Sequence, residues 1–246
     1  MTISFFPPST ASNALLQFPN GAFHQNGTTT LTANMTNVST TDIQVVSTTG
    51  FLSAGGLLIG TELIKYTSKT STTFSGITRG VYGSTKSAHS IGDAVSEAQA
   101  VPSATTELAI SMTTTDTANQ VSIDPTDSTK VLFAISGYYN VQFSAQLLSF
   151  DGTIDNVTFW FKQNGTNVGN SAGIVSVPSI HGGVAGAAIV SWNIVLPLAA
   201  GDYLQLMMAS TTGNTVAATY PPVTSPTRPA SPSVILTATF VSGLYV

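Results

Sequence analysis

The chain is 246 residues long, contains no cysteine and carries a formal net charge of -4, with only 7% charged residues against about 25% in an ordinary soluble domain. Its length suffices for one large or two modest domains with a real core, and the lack of cysteine excludes disulfides, thiolate metal sites, iron–sulfur clusters and a cysteine nucleophile. So few cations leave no electrostatic footprint for DNA or RNA, whose phosphates are met by clustered Lys and Arg.

A mean hydropathy of +0.27 raises the question of a membrane, yet a spanning helix needs about 18–20 continuous apolar residues. The richest run, AAIVSWNIVLPLAAGDYLQLMMAS, is broken by Asn193, Pro197 and Asp202, so no membrane partner is expected. The N-terminus MTISFFPPSTASNALLQF has no basic residue and places Pro7 and Pro8 where a signal peptide would be helical. The reading is a soluble protein made in the cytoplasm.

Thr, Val, Ile and aromatic residues recur in short runs punctuated by Gly, Pro, Asn and Asp, which predicts an all-β protein. Residues 1–30 read as an N-terminal arm without periodicity, whose apolar Phe5, Phe6, Leu15, Leu16 and Phe18 are suited to lying on a partner or on the chain's own domain. Residues 31–98 read as a small β module, with DIQVVS, GLLIGTELIKYTS, TTFSGITRG and DAVSEA as strands, and residues 99–107, QAVPSATTE, as a linker. From 108 to 246 the alternation is plainer: in GYYNVQFSAQL, Tyr139, Val141, Phe143, Ala145 and Leu147 share one face of a half-buried strand. In IVSWNIVLPL and DYLQLMM both faces are apolar, with Val190, Trp192, Ile194 and Leu196 opposed by Ile189 and Val195, and Leu204, Leu206 and Met208 by Tyr203 and Met207. A strand apolar on both sides is expected to be covered on both, by the core on one and a second subunit on the other.

The order GYYNVQFSAQL, VTFWFKQNG, LPLAAGDYLQLMM and PSVILTATFVSG resembles the tumour-necrosis-factor-like and complement-head jelly rolls over roughly residues 108–242. The resemblance implies a jelly-roll β-sandwich assembling as a homotrimer, with Phe143, Trp192, Leu204, Leu206 and Met208 at the trimer interface. The receptor-binding loops of the signalling members have no counterpart, so receptor signalling is not carried over. GFLSAGGLLIGTELIKYTSKTSTTFSGITRGVYGSTKSAHSIGDAV, from Gly50 to Val95, is similar to a module recurrent in tailed-bacteriophage virion proteins. Together they imply a virion surface component: a capsid decoration or cement protein whose arm and module grip the major capsid protein, or alternatively a head or tail fibre that contacts host glycans or proteins, for instance through Tyr220 in ATYPPVTSPTRPASPS. A trimeric hydrolase is the weakest of the three readings, and no enzyme is expected.

Glu62, Lys65, Arg79, Lys86, His89 and Asp93 are the residues from which an acid/base site could be assembled, but nothing in their spacing demands one. The plainer reading makes TRGVYGST a set of turns, with Gly80 and Gly83 at positive φ and Arg79 paired with Glu62 or Asp93 or capping carbonyls. His24, His89 and His181 are too scattered for a metal triad. Asp124, Asp127, Asp151 and Asp155 lie in DPTD and DGTID, which are turn sequences without the full calcium-loop pattern. No P-loop or nucleophile elbow occurs. No cofactor and no metal are expected.

Overall fold

A computed structural model describes residues 18–101 and 103–244. Phe5, Phe6, Leu15 and Leu16 of the expected arm lie outside the described residues. The chain opens with β1 (Asn20–Gln25) and β2 (Thr28–Thr30). A module follows, comprising β3 (Ile43–Gln44), β4 (Gly55–Ile59), β5 (Glu62–Tyr66), β6 (Ser68–Lys69), β7 (Thr73–Ser75), β8 (Thr78–Arg79) and β9 (Ala94–Ala100). The larger body begins with β10 (Leu108–Ala109), β11 (Thr114–Asn119), β12 (Val121–Asp124), β13 (Asp127–Phe133), β14 (Gly137–Ser149), β15 (Asp155–Gln163), β16 (Thr166–Asn167) and β17 (Gly173–Val177). It ends with β18 (Gly186–Leu198), β19 (Tyr203–Ser210), β20 (Thr215–Ala218), β21 (Val223–Thr224), β22 (Thr227–Arg228) and β23 (Val234–Ser242). The expected all-β class holds.

Two sheets make the body. One runs β11-β1-β23-β14 with β18 on the far side of β14; the other runs β12-β13-β19-β15 with β16 and β17 beyond β15. The predicted alternation of β14 turns Tyr139, Val141, Phe143, Ala145 and Leu147 inward, all nearly or wholly buried. There they meet the inward residues of the facing sheet, with Phe143 against Phe159 and Phe161 at ring distances of 5.2 and 5.9 Å and Phe133 edge-on to Tyr139 at 4.8 Å. Buried aromatic pairs of this kind add about 0.5–1.5 kcal/mol each beyond the area they remove from water.

The module has its own core of Leu31, Ile43, Phe51, Leu57, Ile64, Tyr66, Phe74 and Val95. A third core, in which Leu58, Leu63 and Ala98 meet Leu148, Phe150, Val216 and Ala218, fastens it to the body. The sheet itself crosses the junction: β20 pairs with the last three residues of β14 on one side and with Ala98, Gln99 and Ala100 of β9 on the other.

Two of the expected boundaries are therefore corrected. Asn20–Gln25, expected within the arm, is an interior strand of the body, between β11 and β23. Gln99 and Ala100, expected in the linker, are strand residues, and Val101 beyond them is fully buried. In both places a polar strand is buried because its polar groups are satisfied. Gln25, wholly buried, donates from its amide to the Gly50 carbonyl and accepts from the Thr113 hydroxyl, while Gln99 exchanges hydrogen bonds with the backbone of Ser111. Gly27 completes the joint by allowing close backbone approach, since a Cβ there would stand 2.9 Å from the Gly50 carbonyl oxygen.

Candidate functional site

Four of the six residues considered for acid/base chemistry come together. Glu62 enters at the start of β5 and Arg79 from the paired β8, while the turns after β8, with Gly80 at φ +62° and Gly83 at +77°, return the chain to place Ser87 and His89 beside them. Arg79 Nε and Nη2 donate to the two Glu62 carboxylate oxygens, both at 2.6 Å. Nη1 donates to the carbonyls of Thr36 (3.0 Å) and Ser39 (3.3 Å), and Nη2 also to that of Ser87 (2.5 Å). All five guanidinium protons are thereby used. Glu62 accepts further from Gly80 N (3.1 Å), Ser87 N (3.1 Å) and His89 Nε2 (2.8 Å). Burial works to raise its pKa, but the hydrogen bonds from Arg79, Ser87 and His89 outweigh that and hold the carboxyl below the usual range.

This is a knot that ties the start of β5 and the end of β8 to the segments around Thr36–Ser39 and Ser87–His89. Ser87 Oγ and the Glu62 carboxylate both address the same ring nitrogen of His89 (3.3 and 2.8 Å), whereas a nucleophile relay needs the two partners on opposite nitrogens. Asp93 stands 4.0 Å from the other nitrogen and accepts from Ser90 N. Lys65 and Lys86 remain on the surface. Removing one member of a buried, fully bonded pair strands the other charge, at a cost of about 3–5 kcal/mol. Arg79→Ala is therefore expected to lower the urea midpoint by that equivalent, and a variant that melts like the parent would contradict the assignment. Glu62 has a lowered pKa in the folded state, so its contribution is present above its ordinary value of 4.5 and is lost as pH falls through the lower folded one.

A second buried acid was not anticipated. Glu97, fully buried in β9, receives the Tyr66 hydroxyl at 3.2 Å and the Leu52 amide at 3.3 Å. Burial outweighs both bonds and the nearby positive charge of Lys69, and its pKa is pushed up to about 8. The Lys69 ammonium is committed to the carbonyls of Thr48 (2.7 Å) and Phe51 (2.6 Å). Alternation puts Glu97 on the same face as Val95 and Gln99, a mostly polar set that gives no sign of burial.

The aspartates act in turns. Asp124 accepts from the amide and hydroxyl of Thr126, and Asp127 from those of Thr129; Asp155, wholly buried, accepts from the Ser210 and Thr211 hydroxyls and the Thr212 amide. Asp151 accepts from Asn214. His24 pairs with Asp116 at 2.9 Å, and His181 closes a tight hairpin with Val184. Among the described residues no three His, Asp or Glu gather as a metal site.

The interface residues expected from the sequence divide. Phe143, Leu204, Leu206 and Met208 are buried in the chain's own core between the two sheets, so their side chains are not offered to a partner. Met207, on the opposite face of β19, is also covered within the chain, lying between Trp160 on β15 and Ala109 on β10. Only Trp192 reaches the surface, 44% exposed, where it packs over Gly173 of β17. Phe18, the one described residue of the expected arm set, is exposed and stacks on Phe240 at 6.1 Å.

What the body does offer is an edge and a face. β18 is bonded to β14 along its whole length and has no ladder partner on its other side among the described residues. Its sequence GAAIVSWNIVLPL contains no charge, and Ile189 and Val195 are 72% and 52% exposed. Natural edges are normally blunted by charge, a bulge or a covering element. The adjoining outer face consists of cross-strand rows: Ser191, Ser144 and Ile235; Asn193, Gln142 and Thr237; Val195, Asn140 and Thr239. These rows carry hydroxyls, amides and short apolar groups and no charge.

Comparison with known protein families and with curated proteins finds no match.

Proposed function

We propose that the protein is a structural component of a tailed-bacteriophage virion, a decoration or cement protein whose jelly-roll body forms homotrimers and whose arm and module hold the major capsid protein. The observation that carries the reading is the uncharged β18 edge beside an uncharged sheet face, a pair of surfaces that copies of one chain can bring together without desolvating any charge. The strand orders β11-β1-β23-β14-β18 and β12-β13-β19-β15-β17 support a jelly roll, since the chain repeatedly crosses between two antiparallel sheets. The resemblance of Gly50–Val95 to a phage virion module is consistent with a virion location, and the bonding of Arg79 and Glu62 supports a scaffolding role for that module.

The alternative, a head or tail fibre that touches the host surface, is favoured by one feature, the proline-rich hairpin at β21 and β22. Quantitative mass spectrometry of purified virions separates the two. Copies comparable in number with the shell protein are expected for a lattice-wide cement; a small fraction of that number would mean a fibre, and absence from the virion would overturn both.

A further inference from the structure

Between Tyr220 and Ser231 the chain leaves the body as a hairpin whose base is closed by two backbone hydrogen bonds, both 3.0 Å, between those two residues. Its tip is the β21–β22 pair. Residues 221–232 hold five of the chain's 12 prolines, which restrict the backbone before any ligand arrives and so reduce the ordering cost of binding. Gln146 of β14 pins the hairpin from below by donating to the Pro232 carbonyl at 2.9 Å.

The hairpin overhangs a hollow of about 520 Å³ lined by Gln146, Tyr220, Pro221, Arg228, Pro229 and Ser231, a size that suits a small ligand. The Tyr220 side chain accepts and donates no hydrogen bond among the described residues, and the burial of its hydroxyl pushes its pKa up. Arg228 is exposed and, among the described residues, has no acidic partner, whereas the other arginine, Arg79, is paired with Glu62. The hollow thus sets an aromatic ring, a hydroxyl and one unpaired guanidinium of a proline-restricted hairpin above the amide oxygen of Gln146 on β14. A guanidinium recognises a carboxylate through two parallel hydrogen bonds, and an aromatic ring presents an apolar face to the C–H side of a sugar ring.

We propose that this hollow binds a saccharide bearing a carboxylate, with the acid on Arg228, the ring against Tyr220 and hydroxyls on Gln146 and Ser231. The site is the same whether the protein coats a head or tips a fibre, so the inference does not depend on the virion role. The test is saturation-transfer NMR and calorimetry on the full chain with oligosaccharides of glucuronate, galacturonate and N-acetylneuraminate, and with neutral galactose oligomers as the control. At least one acidic oligomer is expected to bind, Arg228→Ala to weaken it by about tenfold or more, Arg228→Lys to fall between, and neutral oligomers to bind no better to the parent than to the variant. Because Arg228 is exposed, the variants should melt like the parent, which separates lost recognition from lost folding. No binding of any acidic oligomer at about 10 mM, or binding unaffected by Arg228→Ala, would overturn the proposal. So would an Arg228→Ala variant that loses attachment to the virion shell while no saccharide binds, since the hollow would then face a protein.

Discussion

Replacing Glu97 by glutamine is expected to stabilise the protein above neutrality and to flatten its pH dependence between about pH 5 and pH 8. The sign follows from a folded pKa of about 8 against an ordinary value of 4.5. Below 4.5 both states hold the proton. Between the two values the unfolded chain releases it and the folded chain keeps it, so stability declines as pH rises and levels off above about 8. At about 1.4 kcal/mol per pH unit the gap amounts to on the order of 5 kcal/mol, with no discount for solvent because the side chain is fully buried. Glutamine keeps an oxygen for the Tyr66 hydroxyl and the Leu52 amide and has no proton to release. Urea midpoints of parent and variant at pH 5, 7 and 9 would show it, and parallel curves would sink the assignment. Glu62 acts with the opposite sign at the acid end, so the parent should be most stable in the mildly acidic range.

Lysine at positions 189 and 195 together is expected to break the proposed trimer into folded monomers. Ile189 and Val195 are already exposed in the single chain, so the substitutions cost the fold little. In a trimer each loses the burial of an aliphatic side chain, about 1.5–3 kcal/mol, and puts a charge against a neutral face. Sedimentation equilibrium should show the parent as a trimer at micromolar concentration and the double variant as a monomer with an unchanged near-UV spectrum. A parent that is itself monomeric would refute the trimer, and a trimeric double variant would move the contact away from β18.

The parts of the fold that were legible are those where a strand is half-buried. β14 is long, one of its faces is apolar and the other polar, and a period of two has little competition from other readings. Gly80 and Gly83 were legible because their turns need positive φ, whereas the sequence left Arg79 to Glu62, to Asp93 or to backbone carbonyls, and the structure gives it Glu62 together with the carbonyls of Thr36, Ser39 and Ser87. The junction was not legible. β9, AVSEAQA, reads as an ordinary polar strand, yet it is buried almost throughout, because β4, β20 and the third core close around it. Nor does alternation say whose core an inward residue enters: Phe143, Leu204, Leu206 and Met208 are apolar for reasons internal to the chain, whereas Trp192, directly opposite Phe143 in the ladder, emerges only because β18 is the last strand. Arg228 and Tyr220 are separated by a loop whose shape, rather than composition, brings them to one hollow.

The module enters the chain after β1 and leaves it before β11, and these two strands are antiparallel neighbours, with His24 opposite Thr114. In terms of connectivity everything between them is one enlarged hairpin loop. Lengthening or exchanging such a loop carries an entropic cost that grows only slowly with its length, although the end of β1 draws on the module, since the buried Gln25 amide donates to the Gly50 carbonyl. One body can therefore carry different insertions between two nearby points in space, provided that each newcomer covers Leu148, Phe150 and Val216 and supplies an acceptor for the Gln25 amide.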